Sequence, residues 1–184
     1  MSTSIPGGTA SHRCRRIYDA VLRQCDQLET LASQPDDRLF FRAEKVSNWS
    51  AADHLLHIAL TTRAMSGVIR RSIESEDASA AGGRTLVGRA VLATGWIPRG
   101  VGKAPKEYLP QVSSRDEVAA QLEEAHRAVR LLESGLPGIE SARARSNHFA
   151  FGDLTAFQWL QLVKIHTRHH LKIVRDVQRA PGSP

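Results

Sequence analysis

The 184-residue chain is expected to fold as an all-α protein, an antiparallel four-helix bundle, on three observations. Four segments carry apolar residues at three- and four-residue spacing, the mark of a helix with one buried face. Three of them open on Ser or Thr with an acidic or amide residue three positions later, a capping signature. No stretch of comparable length alternates apolar and polar residues as a strand would, and aromatics are scarce at 5%, a balance that favours helix. At 41% hydrophobic and 24% charged, the composition is that of one soluble domain. A chain of this size buries roughly 70% of its unfolded surface and needs no metal or disulfide to fold. Any ion it holds would therefore serve function.

Residues 1–11 read as a disordered lead-in, followed by a single domain over 12–180. The first helix starts near Arg13 and carries Ile17, Val21, Cys25, Leu28 and Ala32 on one face, ending before Pro35. A polar link through Asp36, Asp37 and Trp49 follows. Ser50 with Asp53 then caps a second helix that runs through Leu55, Leu56, Ala59, Met65, Val68 and Ile69 to about Ser75. Residues 76–84 are rich in Ser, Ala, Gly and acids and read as an exposed loop. A short helix fits 86–96, while the glycines and prolines of 98–110 exclude regular structure there. This long connection is expected to lie across one end of the bundle. Ser114 with Glu117 opens the third helix, whose stripe of Val118, Leu122, Ala125, Val129 and Leu132 stops at Gly135 and Pro137. After a loop through Asn147, His148 and Gly152, Thr155 with Gln158 caps a last helix to about Arg179. The long second and third connections are compatible with a crossover instead of simple up-down order.

A formal charge of +6 raises the question of an anionic partner. The arginines are mostly interleaved with acids, as in Arg115-Asp116-Glu117, which is the pattern of solvated helix faces, so a nucleic-acid binder is the weakest of the functional readings. Cys14 and Cys25 lie eleven residues apart in one helix, about 16 Å by helical rise, and cannot bridge. With no base beside them, they read as buried and inert. The N-terminus lacks a secretory apolar segment and no run approaches the roughly 20 apolar residues of a membrane span, so the expected location is the cytoplasm and no membrane partner is expected.

Five of the eight histidines fall in two stretches, His54 and His57 in the second helix and His166, His169 and His170 in the fourth. At 100° per residue, His166 and His170 stand about 40° apart, one turn up the same face, so both rings can reach one ion. His169 lies about 60° to the other side and points away. The i, i+4 spacing is the one helical zinc sites use. A third ligand must come from another helix, and His57, set between Leu56 and Ile58 in a dense apolar stretch, is the candidate. His54 sits in the first turn, where a helix end is commonly wet. Three neutral imidazoles with open positions suit Zn²⁺ or another borderline ion such as Ni²⁺. His148 reads as structural, Trp49 and Trp159 as core anchors, and Asp53 and Asp153 as helix-start residues, so no general base is assigned.

The stretches Asn48-Trp49-Ser50, His54-Leu55-Leu56-His57-Ile58 and His166-Thr167-Arg168-His169-His170-Leu171 resemble the DinB-like superfamily of metal-binding four-helix bundles, a DinB/YfiT-like fold. His148 to Thr155, with Gln158-Trp159, is similar to its uncharacterised DUF1569 branch, in which a His-x-x-Phe-Gly-x-Leu-Thr segment precedes the final helix. The resemblance covers about residues 13–177. It implies a metal triad carried by His57, His166 and His170, which agrees with the facing argument. It also implies a small-molecule substrate, a low-molecular-weight thiol cofactor such as bacillithiol, mycothiol or glutathione, and an activity as a thiol-dependent transferase or metal-assisted hydrolase. A non-catalytic metal- or ligand-binding stress-response module is the alternative, and a homodimer is compatible with either. Ile173 stands where the superfamily often has Gln three residues after the last histidine.

Overall fold

The computed structural model describes residues 9–75, 82–100 and 102–184. In chain order the elements are α1 (His12–Ala32), α2 (Asp36–Leu39), α3 (Ala51–Glu74), α4 (Leu86–Thr94), α5 (Arg115–Arg130), α6 (Leu136–Ser141), β1 (Arg145–His148), β2 (Gly152–Thr155) and α7 (Ala156–Val177). Helices α1, α3, α5 and α7 form the bundle. The expected caps are present: Ser50 with Asp53 and Thr155 with Gln158 make reciprocal capping boxes, and the Ser114 hydroxyl accepts from the Glu117 amide. Glu117 itself turns back to Ser113, whose amide and hydroxyl it accepts.

Ser11 accepts from the Cys14 amide, so α1 starts one residue before the sequence stripe suggests. Most of the lead-in expected over 1–11, and most of the loop expected over 76–84, lie outside the described residues. The stripe residues Ile17, Val21, Cys25, Leu28 and Ala32 are all buried. Burial pushes the Cys14 thiol up to about 11 and the Cys25 thiol up to about 12, so both stay protonated.

Around the bundle, α3 packs on α5 and α7, and α1 packs on the same two helices. Pairings across each seam set the directions. Arg15 meets Glu133 and His126 meets Glu29, so α1 and α5 are antiparallel. Gln24 reaches the Lys164 carbonyl and Gln178 meets Gln34, so α1 and α7 are parallel. Arg63 meets Gln121, and Ile73 lies against Gly138 just past α5, so α3 and α5 are parallel. His57 faces His166 and His54 faces His170, so α3 and α7 are antiparallel. The order is up, down, down, up, with the crossover that the long connections allow.

Parallel α3 and α5 require the chain between them to climb the 24-residue length of α3, about 36 Å. The connection therefore runs lengthwise instead of across one end, as the sequence suggested. It bridges to the hairpin at Arg84 and Gly152, lays α4 on α7, and reaches the start of α3 in a 3₁₀ turn at Lys106–Tyr108.

Three short features escape the sequence reading: α6, which begins directly after Gly135 with Pro137 in its first turn, and the two that follow. α2 interrupts the polar link after Pro35, and the loop before α7 holds a two-stranded antiparallel hairpin with Arg145 opposite Thr155 and His148 opposite Gly152. Each strand is four residues long and β1 has no buried residue, too short and too polar for a period-two signal. Gly152 is required there: its φ is +76°, and a Cβ would stand 2.4 Å from the Gly83 carbonyl oxygen. No helix among the described residues is long and apolar enough to cross a membrane.

Candidate metal centre

His54 and His57 stand in the first two turns of α3, and His166 and His170 on the facing stretch of α7. The antiparallel pairing brings all four rings together. Ring centroids are 4.6 Å apart for His166 and His170, 4.7 Å for His57 and His170, and 5.1 Å for His57 and His166. One nitrogen from each of His57, His166 and His170 lies within 4.8 Å of the others. The i, i+4 pair and the third histidine singled out in the sequence thus converge, while His169 points elsewhere. It bonds to the backbone of Ile97 and, with Arg99, Arg168 and Lys172, lines the seam where the connection crosses α7.

Hydrogen-bond partners assign the ring nitrogens. His57 Nδ1 lies 2.7 Å from the Tyr108 carbonyl. A carbonyl only accepts, so Nδ1 carries the proton and the neutral ring offers its Nε2 lone pair. That Nε2 is 3.3 Å from Nε2 of His166. Two imidazole nitrogens at 2.0–2.1 Å from a tetrahedral zinc are about 3.3 Å apart, so the observed spacing fits a shared ion. His166 Nδ1 is buried and has no partner among the described residues. Burial, with the neighbouring imidazoles second, holds His166 and His170 well below the usual histidine range, and burial also lowers His57. All three are neutral near pH 7, the state in which imidazole binds a metal.

His54 departs from the sequence expectation. It is 2% exposed, because residues 42–49 fold back over the start of α3. Ser47 Oγ sits 3.0 Å from its Nε2 and Nδ1 of His170 sits 2.9 Å from its Nδ1. Trp49 is likewise not a simple core anchor. Its partly exposed indole lies 5.0 Å from His57, 5.2 Å from His54 and 6.2 Å from His170, the last nearly parallel. Neither contact has a sequence signal, since a backbone carbonyl and a folded-back link leave no spacing to read. Asp53 keeps its helix-start role and also meets Arg42 at 3.1 Å. Asp153 belongs to β2, where it accepts from Asn147, so it is a hairpin residue and not a helix cap.

Trp159 is a core anchor, 5% exposed. His148 is structural: its Nδ1 accepts from the Ala150 amide and its ring stacks on Phe149 and Phe151. Ile173 is buried and apolar. A second group, Asp26, Glu29 and His126, also lies within ligand distance. There Nδ1 of His126 is 2.6 Å from Glu29 and Nε2 is 3.9 Å from Asp26. With a carboxylate at each nitrogen and Arg130 3.4 Å from Nδ1, the group is a hydrogen-bonded tie between α1 and α5.

A cleft of about 390 Å³ runs along α3 from Glu107 and Tyr108, lined by Leu60, Arg63, Ala64, Gly67, Val68 and Arg71. Except for Arg63, at about 120°, these positions lie within about 80° of His57 around the helix. Among the described residues no carboxylate joins the histidine group.

A family model described as the DinB superfamily matches residues 12–174. Among curated proteins and solved structures, none matches the chain.

Proposed function

Because the chain belongs to the DinB superfamily, we propose that it is a divalent-metal protein in which His57, His166 and His170 hold Zn²⁺, with Ni²⁺ as the alternative ion, and which transfers a low-molecular-weight thiol to a small electrophilic substrate. The observation that carries this reading is the convergence of three neutral imidazoles from two helices at one point. Three protein ligands leave a position open. When bound there, a divalent ion acts as Lewis acid and lowers the pKa of a thiol or water.

The surrounding residues support transfer over hydrolysis. A metal-bound water is ordinarily helped by a carboxylate base, and among the described residues none lies within ligand distance of this group. A thiol needs only to lose its own proton to become the nucleophile. Trp49 covers one side of the histidines and excludes water from it, while the cleft along α3 offers an apolar floor with two arginines, Arg63 and Arg71, and one carboxylate, Glu107, for a small polar or peptide-like molecule.

The test is metal analysis of the purified protein beside His57→Ala, His166→Ala and His170→Ala, followed by assay of the loaded protein with glutathione, mycothiol and bacillithiol against a set of electrophiles. One ion per chain in the wild type and its loss in each variant is the expected result. Near-full metal retention in all three variants overturns the triad. A loaded protein inert to every thiol but active on an ester or amide would assign the open position to water.

A further inference from the structure

We propose that His54 is a positioning residue for the metal centre, holding His170 by accepting a hydrogen bond from its Nδ1–H, with Ser47 holding His54 in turn. The proposal rests on the metal reading above and adds to it a residue outside the triad.

The geometry is a chain of short links. Trp49 donates its backbone N–H to Ser47 Oγ at 3.0 Å, Ser47 Oγ is 3.0 Å from His54 Nε2, and His54 Nδ1 is 2.9 Å from His170 Nδ1. His54 is 2% exposed and His170 9%, so neither ring is free to exchange these partners for water. Neutral imidazole carries one donor and one acceptor, and the chain therefore has two polarities. In one, His54 donates from Nδ1 to His170; the proton of His170 is then on Nε2 and that nitrogen cannot bind an ion. In the other, His170 donates from Nδ1 to His54, whose Nε2–H donates to Ser47, and His170 Nε2 keeps its lone pair, free for an ion shared with His57 and His166. Metal binding selects the second polarity.

Histidine ligands usually give their outer N–H to a carboxylate or carbonyl. His57 does so with the Tyr108 carbonyl. For His170 the acceptor is another neutral ring, which holds the tautomer without adding negative charge to the site.

The alternative is that His54 only fills space. His54→Asn and His54→Leu separate the two, because Asn can place an oxygen near the Nδ1 position while Leu fills the volume without an acceptor. Zn²⁺ affinity is measured by competition with a chromogenic chelator, the visible spectrum of the Co²⁺-loaded protein reports ligand geometry, and metal-free melting curves report folding. His54→Leu is expected to lose about 10–100-fold in affinity with an altered Co²⁺ spectrum, and His54→Asn to recover most of both. Ser47→Ala is expected to weaken binding in the same direction and serves as the second probe where His54→Leu does not fold. Wild-type affinity and spectrum in a folded His54→Leu, or an Asn variant as weak as Leu, overturns the proposal while leaving the triad intact. Failure of the folded wild type to take up any ion removes the metal reading itself.

Discussion

Asp53→Ala tests how the start of α3 builds the site. The Asp53 carboxylate, 6% exposed, accepts from the Ser50 amide at 2.9 Å and from its hydroxyl at 2.8 Å, and meets Arg42 at 3.1 Å. Removing it strips half of the capping box, worth about 1 kcal/mol. It also leaves the amide of Ser50, a residue 2% exposed, without an acceptor, at a cost of about 1–3 kcal/mol. The pair with Arg42, whose side chain is 60% exposed, adds less than about 1 kcal/mol. The expected loss is about 3 kcal/mol, a fall of about 6–12 °C in Tm for a chain of this size. Asp53→Asn keeps an acceptor oxygen and should cost about a third as much. Urea unfolding of the metal-free proteins measures both. The same cap sets the entry of the 42–49 link, so zinc affinity should fall in Asp53→Ala along with stability. An unfolding free energy within about 0.5 kcal/mol of wild type would show that this carboxylate does not anchor the start of α3.

The remaining predictions concern the frame. A Cβ at Gly88 would stand 2.3 Å from the Phe151 carbonyl oxygen and 3.0 Å from its Cα, and backbone cannot yield as a side chain can. Gly88→Ala should therefore lift α4 off the hairpin, break the Thr85–Phe151 bond and cost about 2–3 kcal/mol in thermal or urea unfolding; an unchanged Tm would show the contact to be slack. Burial holds the His148 ring down to about 4 against an unfolded value of 6.5. Between those values the unfolded chain binds more protons, so this contribution is complete above pH 6.5 and is lost as pH falls toward 4. His148→Phe, which keeps the aromatic stack, should lose less stability than wild type between pH 7 and pH 5, by about 1 kcal/mol given the ring's partial exposure. Equal pH slopes for the two proteins would contradict it.

The sequence carried the four helices because each bundle helix is long enough for its stripe and cap to be read locally. It carried the convergence of His57, His166 and His170 because i, i+4 spacing and an apolar neighbourhood are local too. What it did not carry depends on contacts distant in the chain. His54 and His57 differ by less than one turn, and nothing in their own segment says that residues 42–49 return to cover the first of them. The direction of α5 relative to α3 is likewise absent from either helix; only the length of the chain between them hints at it. The lengthwise connection then delivers the Tyr108 carbonyl to His57, a ring-orienting contact made by backbone, which no side-chain pattern can announce. The hairpin escaped because two four-residue strands generate too few alternations to stand out.

Donors and acceptors at the histidine cluster do not balance without an ion. Four neutral rings, His54, His57, His166 and His170, bring four N–H groups and four lone pairs into a buried space. In the polarity described above, three N–H groups are matched: His57 to Tyr108, His54 to Ser47, and His170 to His54. The lone pair of His54 is matched by His170. What remains is one lone pair on His57, one on His170, and both nitrogens of His166. The single remaining proton, placed on Nε2 of His166, can bond to His57 at 3.3 Å. That leaves Nδ1 of His166 as a buried acceptor without a donor among the described residues, costing about 1–3 kcal/mol. Moving that proton to Nδ1 frees Nε2 of His166, and three lone pairs then face one point, which a cation satisfies together. Burial opposes the other solution, protonation of a second ring. A cluster with this surplus of acceptors is stable as a neutral, metal-free core only at a cost, and that cost is what a divalent ion would remove.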